Sequence, residues 1–391
     1  MTTTTYNRSL TPFVGTGNFR DFQRFADQHG LGEIYAEVEP YKDKLQHWLG
    51  VRDSVKILAI TPYQDDSADF GKGGNRRVKP SSEITPFSVD PDAADALVEA
   101  WESPFPNASR YGNIRVPKVG ENVQKELGVV GVAEALRKHG YKIEAANNGL
   151  FYVAGRSFDV EDYAKVGPER LELFPERDEE WFREIEKRIR SEAPEFNPDK
   201  ARKVLGRLQE THSLRPAKPE DVHGLVAVLE STFPFYGTYS LKETMPKLVK
   251  DQYNRSGVSS LVYVADRKND GKIVATVTVE RSPFRFGELT DVASLDPETG
   301  DVKTNGLGFA LSYMALRHAA RNGMETWWTD SVADNGMTDL AGKLDGHYDG
   351  IHRTTVKLLT RQMKNRHFRE KDPLVMDLFV FSGPTQRLAL I

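Results

Sequence analysis

From Ser213 onward the apolar residues change period in a fixed order, and that order restricts the folds open to the chain. Ser213 to Ala217 reads as a short strand. Pro219-Glu220-Asp221 then opens a helix whose apolar positions Val222, Leu225, Val226, Leu229 and Phe233 fall at helical spacing. An aromatic loop and a second helix near Ser240 to Tyr253 follow. Leu261 to Ala265 and Ile273 to Glu280 read as two strands joined at Arg267-Lys268-Asn269-Asp270-Gly271, a hairpin loop with its glycine in place. A further strand from Glu288 to Leu295 leads through Pro297 and Gly300 into Lys303-Thr304-Asn305-Gly306-Leu307-Gly308. A helix follows, with Leu307, Leu311, Met314, Ala315 and His318 on one face and a stop at Asn322-Gly323. A strand, a short glycine loop and a helix start suit a pyrophosphate, because unpaired N–H groups and the helix dipole both point at the anion. An ordinary tight turn is the alternative reading of the same glycines.

Lys303-x-x-Gly306-x-Gly308 resembles the acetyl-CoA signature of the GNAT N-acetyltransferase superfamily, and Arg215-x-Ala217-x-x-Glu220-Asp221 resembles the first strand and helix start of those domains. Lys303 stands where Arg or Gln is usual and meets a phosphate without the guanidinium fork. Within the superfamily three stretches resemble β-lysine Nε-acetyltransferases. They are Thr232-Phe233-Pro234-x-Tyr236, Glu288-Leu289-Thr290-Asp291-x-Ala293, and Asn335-Gly336-Met337 with Leu340-Ala341-Gly342-Lys343-Leu344. Thr338 and Asp345-Gly346-His347-Tyr348 depart from that group near the expected acceptor pocket, so the acceptor can differ from β-lysine.

The resemblance implies an α/β (α+β) domain with a mixed, centrally splayed sheet. It also implies acetyl-CoA as co-substrate and direct attack of a neutral amine on the thioester in a ternary complex. Backbone N–H groups of Val292, Ala293, Ser294 and Leu295 would meet the thioester oxygen. Lys303, Thr304, Asn305, Gly306, Leu307, Gly308 and Phe309 would hold the pyrophosphate, and Asp334 and Asn335 the pantetheine arm. A lysine-like amine, with a pKa near ~10.4, must lose a proton before it attacks. For the base we weigh Glu280, Glu288 and Asp291. Strand alternation lets Glu280 and Glu288 meet across the sheet and sets Asp291 on the other face. Glu288 is favoured as base or water-positioner, with Glu280 and Asp291 shaping an acidic pocket; solvated strand-end carboxylates are the alternative. Phe233, Tyr236 and Tyr239 either line the amine site, with cation–π contact, or simply pack the loop. Tyr348, Ser331 or water is left to protonate the leaving thiolate.

The chain has 391 residues, enough for two domains. A charged helix from Glu179 to Ser191 stops at Ala193-Pro194, and Asn197-Pro198-Asp199 caps a second helix carrying Val204, Leu205 and Leu208. These breaks place a boundary near residue 212, giving domains 1–212 and 213–391. The first domain reads as mixed α+β. Val55 to Ile60 is a strand, Gly131 to His139 a helix, and Tyr141 to Ala146 and Leu150 to Ala154 form a hairpin about Asn147-Asn148-Gly149. Asp65 to Pro117 reads as long loops, suited to covering a small-molecule site. The glycine patches Gly15-Thr16-Gly17-Asn18 and Gly71-Lys72-Gly73-Gly74-Asn75-Arg76-Arg77 match no Walker loop.

Composition narrows the chemistry. With no cysteine, transfer through an enzyme thiolate is excluded. A net charge of -4 argues against a nucleic acid or anionic membrane partner. The nine histidines show no close metal spacing, so no metal is expected. The N-terminus lacks a leader pattern and no stretch is apolar enough to span a bilayer, which together suggest a cytoplasmic protein. A metabolic N-acyltransferase for an amino-acid-like amine fits best, with the first domain closing the acceptor site or mediating a homodimer. A bifunctional enzyme, a protein-lysine acetyltransferase and a non-catalytic acyl-CoA sensor are the alternatives.

Overall fold

The computed structural model describes residues 19–42, 47–51, 54–58, 63–65, 77–79, 86–102, 110–167, 179–192, 195–232, 241–253, 260–295, 306–332, 337–357 and 375–389. Two compact units divide the chain, Met1–Ile143 with Glu161–Lys165, and Glu144–Val160 with Val166–Ile391. This division does not coincide with the expected boundary near residue 212: a segment from the middle of the first half, and both helices before 212, go with the C-terminal unit.

The first unit carries α1 (Phe19–His29), α2 (Gly32–Val38) and the antiparallel sheet β1 (His47–Val51), β2 (Ser54–Leu58) and β5 (Pro86–Ser88). Strands β3 (Tyr63–Asp65) and β4 (Arg77–Lys79) pair separately. Helix α3 (Pro91–Glu102), strand β6 (Arg110–Pro117) and helices α4 (Glu121–Leu127) and α5 (Val132–Lys138) complete it. Phe22, Ile34, Phe87, Leu97 and Leu136 are buried in its core. Arg115 on β6 lies 3.3 Å from Asp162, and both side chains are almost fully buried.

Strands β7 (Lys142–Val153) and β8 (Arg156–Val166) form a hairpin that crosses between the units in sequence. It does not turn at Asn147-Asn148-Gly149, as the sequence suggests; β7 runs unbroken through those residues and the chain reverses at Ala154-Gly155. Gly149 does take a left-handed φ of 65°, but as a kink inside the strand. Its N–H donates to Asp159 Oδ1 at 3.0 Å and its carbonyl accepts from Ser157 Oγ at 3.0 Å, so cross-strand side chains hold it in the ladder.

The second unit continues with α6 (Glu179–Glu192) and α7 (Pro198–Thr211), the latter capped by Asn197 Oδ1 accepting from Lys200 N at 2.9 Å. Then come β9 (His212–Pro216), α8 (Val222–Thr232), α9 (Leu241–Asp251), β10 (Leu261–Arg267), β11 (Ile273–Arg281), β12 (Phe286–Ser294) and α10 (Leu307–Arg321). Strand β13 (Thr326–Val332), helix α11 (Met337–Lys343), strands β14 (His347–Lys357) and β15 (Val375–Pro384), and the short α12 (Gln386–Ala389) close the chain. The strands lie in the order β7-β14-β15-β13-β12-β11-β10-β9. All these neighbouring pairs are antiparallel except β12 with β13. The chain is thus α/β with a mixed sheet.

Apolar residues alternate along the strands into two layers. Leu214, Tyr263, Ala275, Val277, Val279, Leu289 and Trp327 pack under α7 and α10 on one face. Val262, Val264 and Ala293 pack under α8 and α9 on the other. At the edge, Arg215 joins β9, β10 and the turn before α8. Its Nη2 donates to Asp221 Oδ1 at 3.0 Å and to Asp266 Oδ2 at 2.7 Å. Burial raises the Asp221 pKa, and hydrogen bonds from Arg215 and Lys218 N outweigh it, so the group sits below its ordinary range. The stabilisation is complete above the unfolded value near ~3.9 and is lost as pH falls through the lower folded value. Asp221→Asn is therefore expected to lower the unfolding free energy by about 1–3 kcal/mol at neutral pH. Denaturant titrations should show the difference from wild type shrinking below about pH 4.

Candidate active site

Strands β12 and β13 share three rungs, Phe286↔Thr326, Gly287↔Trp327 and Glu288↔Trp328, and then pair no further. Beyond Glu288 the sheet opens in a wedge. Thr329 Oγ1 donates to Leu289 O at 2.7 Å, so a side chain replaces the next backbone rung. A β-bulge lies on the β12 wall of the wedge. Thr278 faces Thr290 while Thr276 faces Ala293, so β12 carries one residue more than β11 across this interval. Asp291, with φ of 53°, is in the bulge. Leu289 and Val292 pack in the same layer although three residues apart, whereas Ala293 packs in the other. Simple alternation from Glu288 therefore fails here, and the inference that Asp291 lies on the opposite face does not follow from it. Leu295 N donates to Val274 O at 2.8 Å, which by antiparallel alternation turns the Ser294 N–H away from β11 and toward the wedge.

The start of α10 flanks the same wall. Gly306 precedes the helix as its N-cap residue with a left-handed φ of 88° and has no side chain with which to cap it. A Cβ on Gly308 would come within 3.2 Å of Val292 Cγ1, and one on Gly306 within 3.4 Å of Val204 Cγ1. Glycine thus lets the helix start approach β12 on one side and α7 on the other. A donor set of backbone amides at a helix N-terminus suits the diphosphate of an acyl-CoA. Leu307 is buried in the core and Phe309 packs against it, so the two side chains anchor the helix. Lys303, Thr304, Asn305, Asp334, Asn335, Phe233, Tyr236 and Tyr239 lie outside the described residues, as do Gly15 to Asn18 and Gly71 to Arg76.

At the apex of the wedge Glu280 on β11 is directly opposite Glu288 on β12. The row continues through Trp328, Ser382 and His347, so these residues share the face on which α8 and α9 pack. Gly287 allows close approach beside it: a Cβ there would meet Met324 Sδ at 2.6 Å and Glu280 O at 3.2 Å. Three further residues of this face escaped the sequence reading. Trp328 and Asp330 are two apart on β13, and His352 on β14 is fully buried, with Nδ1 3.9 Å from Asp330 Oδ2 and its ring edge-on to Trp328. Two polar-capable residues at period two inside Thr326–Val332 were the available signal for the first pair; nothing local marks His352.

Tyr348 does not join this group. It pairs with Phe381, its ring centroid 5.9 Å from that ring and 6.3 Å from Phe379, with the Arg190 guanidinium 5.5 Å over its other side. One residue off the Glu288 row, it projects from the opposite face, and three strand spacings at ~4.8 Å leave roughly 14 Å between the two positions. The expected role as acid for the leaving thiolate is not supported by that placement. Ser331 is also buried, on the Tyr348 side of the sheet.

In the first unit Asp95, Glu99 and His139 bring oxygen and nitrogen atoms within 4.8 Å of one another, a grouping that sequence spacing does not reveal. Asp95 already has two partners there. Lys138 Nζ is 2.7 Å from Oδ2 and His139 Nε2 3.0 Å from Oδ1, and the Lys138 hydrogen bond is the main cause of a lowered Asp95 pKa. Among the described residues no helix is long and apolar enough to cross a membrane.

No family model matches the chain, and no curated protein does. Solved structures match about 44% of it. The ribosomal-protein-S18-alanine N-acetyltransferase from Escherichia coli is 18% identical over 44% of this chain and 94% of its own, with a TM-score of 0.33. The IAA acetyltransferase from Bacillus cereus is 14% identical over 44% and 99%, with a TM-score of 0.32. A GNAT-superfamily phosphinothricin acetyltransferase from Sinorhizobium meliloti, solved with AcCoA, is 16% identical over 44% and 88%, with a TM-score of 0.34.

Gly306→Val places a β-branched side chain at a left-handed position beside Val204 and should misalign the helix start. Acetyl-CoA affinity, read by isothermal titration, is expected to fall at least about tenfold, or ~1.4 kcal/mol, with the far-UV circular dichroism unchanged. Wild-type affinity in that variant would show that the helix start does not hold the nucleotide.

Proposed function

We propose that the second unit is an acyl-CoA-dependent N-acyltransferase that transfers an acetyl group to a small amino-acid-like amine of the lysine or β-lysine type. One observation carries this reading: the wedge between β12 and β13 has a glycine-opened helix start on one side and the Glu280–Glu288 pair at its apex. Acyl-CoA would lie along β12, its diphosphate at Gly306–Gly308 and its thioester carbonyl accepting from the Ser294 N–H. Such a fixed donor favours the charge that develops on that oxygen during attack.

The acceptor would enter on the Glu288 face. Two carboxylates directly opposite each other hold negative charge where a cationic amine must dock, and Glu288, directly or through water, takes the ammonium proton. The neutral nitrogen then attacks the carbonyl carbon, the C–S bond breaks as the C–N bond forms, and the CoA thiolate takes up a proton. Trp328 closes the face beside Glu288, and Asp330 with His352 extends its polar character along β13 and β14. Lys303, Thr304, Asn305, Phe309, Asp334 and Asn335 remain proposed contacts of the nucleotide, and Phe233, Tyr236 and Tyr239 of the amine. Homodimerisation through the first domain and a cytoplasmic location belong to the same proposal.

A thiol-release assay with acetyl-CoA against lysine, β-lysine, ornithine, other diamines, hydrazines and a histone-type peptide tests it. Turnover with a small amine is expected, and Glu288→Gln should lower kcat at least about 100-fold while leaving acetyl-CoA affinity within about twofold. Turnover confined to the peptide, or none with any acceptor despite acetyl-CoA binding, would overturn this reading.

A further inference from the structure

The turn that joins β11 to β12 contains two consecutive non-glycine residues in the left-handed region, Phe284 at φ 65° and Arg285 at φ 58°. A Cβ disfavours that region, so a pair of such residues persists only where surroundings outside the turn hold them. The surroundings come from β7, far away in sequence but in the same unit. Phe284 stacks on Phe151 with ring centroids 4.1 Å apart and planes at 23°, and each is only 2% exposed. The Arg285 guanidinium lies 4.5 Å over the ring of Tyr152. Two residues earlier on β7, Gly149 O accepts from Thr326 Oγ1 at 2.8 Å at the first rung of β13. Arg285 O accepts from Glu325 N at 2.7 Å just before that rung. One short stretch of β7 therefore grips both strands that bound the wedge, at the end where they meet.

The turn sets the register of the carboxylates. Ser282 N donates to Phe286 O at 2.9 Å, and the ladder then runs Arg281↔Gly287 and Glu280↔Glu288. Because side chains alternate with period two, a one-residue slip in the turn would move Glu288 from the α8–α9 face to the apolar layer under α10. We propose that Phe151 and Tyr152 are positioning residues for the acceptor site: by clasping Phe284 and Arg285 they hold the register that sets Glu280 opposite Glu288. This rests on the acyltransferase reading for its chemical consequence, although the register lock itself does not.

The test uses the full chain. Phe151→Ala, Tyr152→Leu and the conservative Tyr152→Phe are compared with wild type by amide hydrogen exchange and by steady-state kinetics with acetyl-CoA and the best amine. Exchange at residues 283–289 is expected to rise at least about tenfold in Phe151→Ala and Tyr152→Leu, with the amides of Ala310 to Leu316 unchanged. In the same variants kcat should fall at least about tenfold with an altered pH profile, while the acetyl-CoA KM stays within about twofold, and Tyr152→Phe should restore both. Should Phe151→Ala fail to fold, Tyr152→Leu, at a partly exposed site, carries the comparison. Unchanged exchange at 283–289 would overturn the lock. Raised exchange with wild-type kcat and pH profile would overturn its role at the site. If wild type releases no thiol with any amine, the acyltransferase reading fails by itself, and raised exchange still upholds the lock.

Discussion

The wedge exists because β12 and β13 run parallel for three rungs and then separate, and every other feature of the site is placed by that departure. A parallel pair embedded among antiparallel neighbours needs a crossover, and α10 supplies it, so the helix start necessarily arrives at the end of β12 where the strands have parted. The bulge at Asp291 assists by adding twist to β12 and by bringing Val292 to the helix side of the sheet. Strand separation, helix arrival and the glycine at position 306 are thus one geometric event.

Much of the second unit was legible in sequence because its elements are local. The 3.6-residue spacing in α8 and α10, the Asp270-Gly271 hairpin between β10 and β11, and the Asn197 cap of α7 each state their structure within a few residues. The pairing of Glu280 with Glu288 was legible as well, since a short turn between two strands fixes register by counting. What escaped depends on neighbours distant in the chain. Asp291 looked like an ordinary alternating position until a bulge broke the alternation. Tyr348 looked available as an acid because its sequence distance from Glu288 says nothing of the two strands, β13 and β15, that intervene. Asn147-Asn148-Gly149 had turn chemistry, yet side chains from β8 and β13 satisfied Gly149 within a kinked but unbroken strand.

The polar residues on the Glu288 face illustrate how a mixed sheet builds a site without a motif. Trp328, Asp330 and His352 come from strands that are each adjacent to β15 but not to each other in the sheet, and they converge only because opposite positions of neighbouring strands share a face. The apolar layer beneath α10 is continuous, with Val277, Leu289 and Trp327 all buried. The other layer is apolar under α8 and α9 and turns polar toward β13. Rigidity and chemistry are therefore assigned to opposite sides of the same strands.

The hairpin β7–β8 has a further consequence for inheritance. Its residues 144–160 belong to the second unit while 1–143 and 161–165 belong to the first, so the chain changes unit three times before residue 167. A crossover at the expected boundary near residue 212 would deliver the second unit without its brace, whereas one at residue 143 carries all of it, together with residues 161–165 of the first. The sheet and the strand that clasps its central turn are inherited together only where the gene is divided ahead of β7.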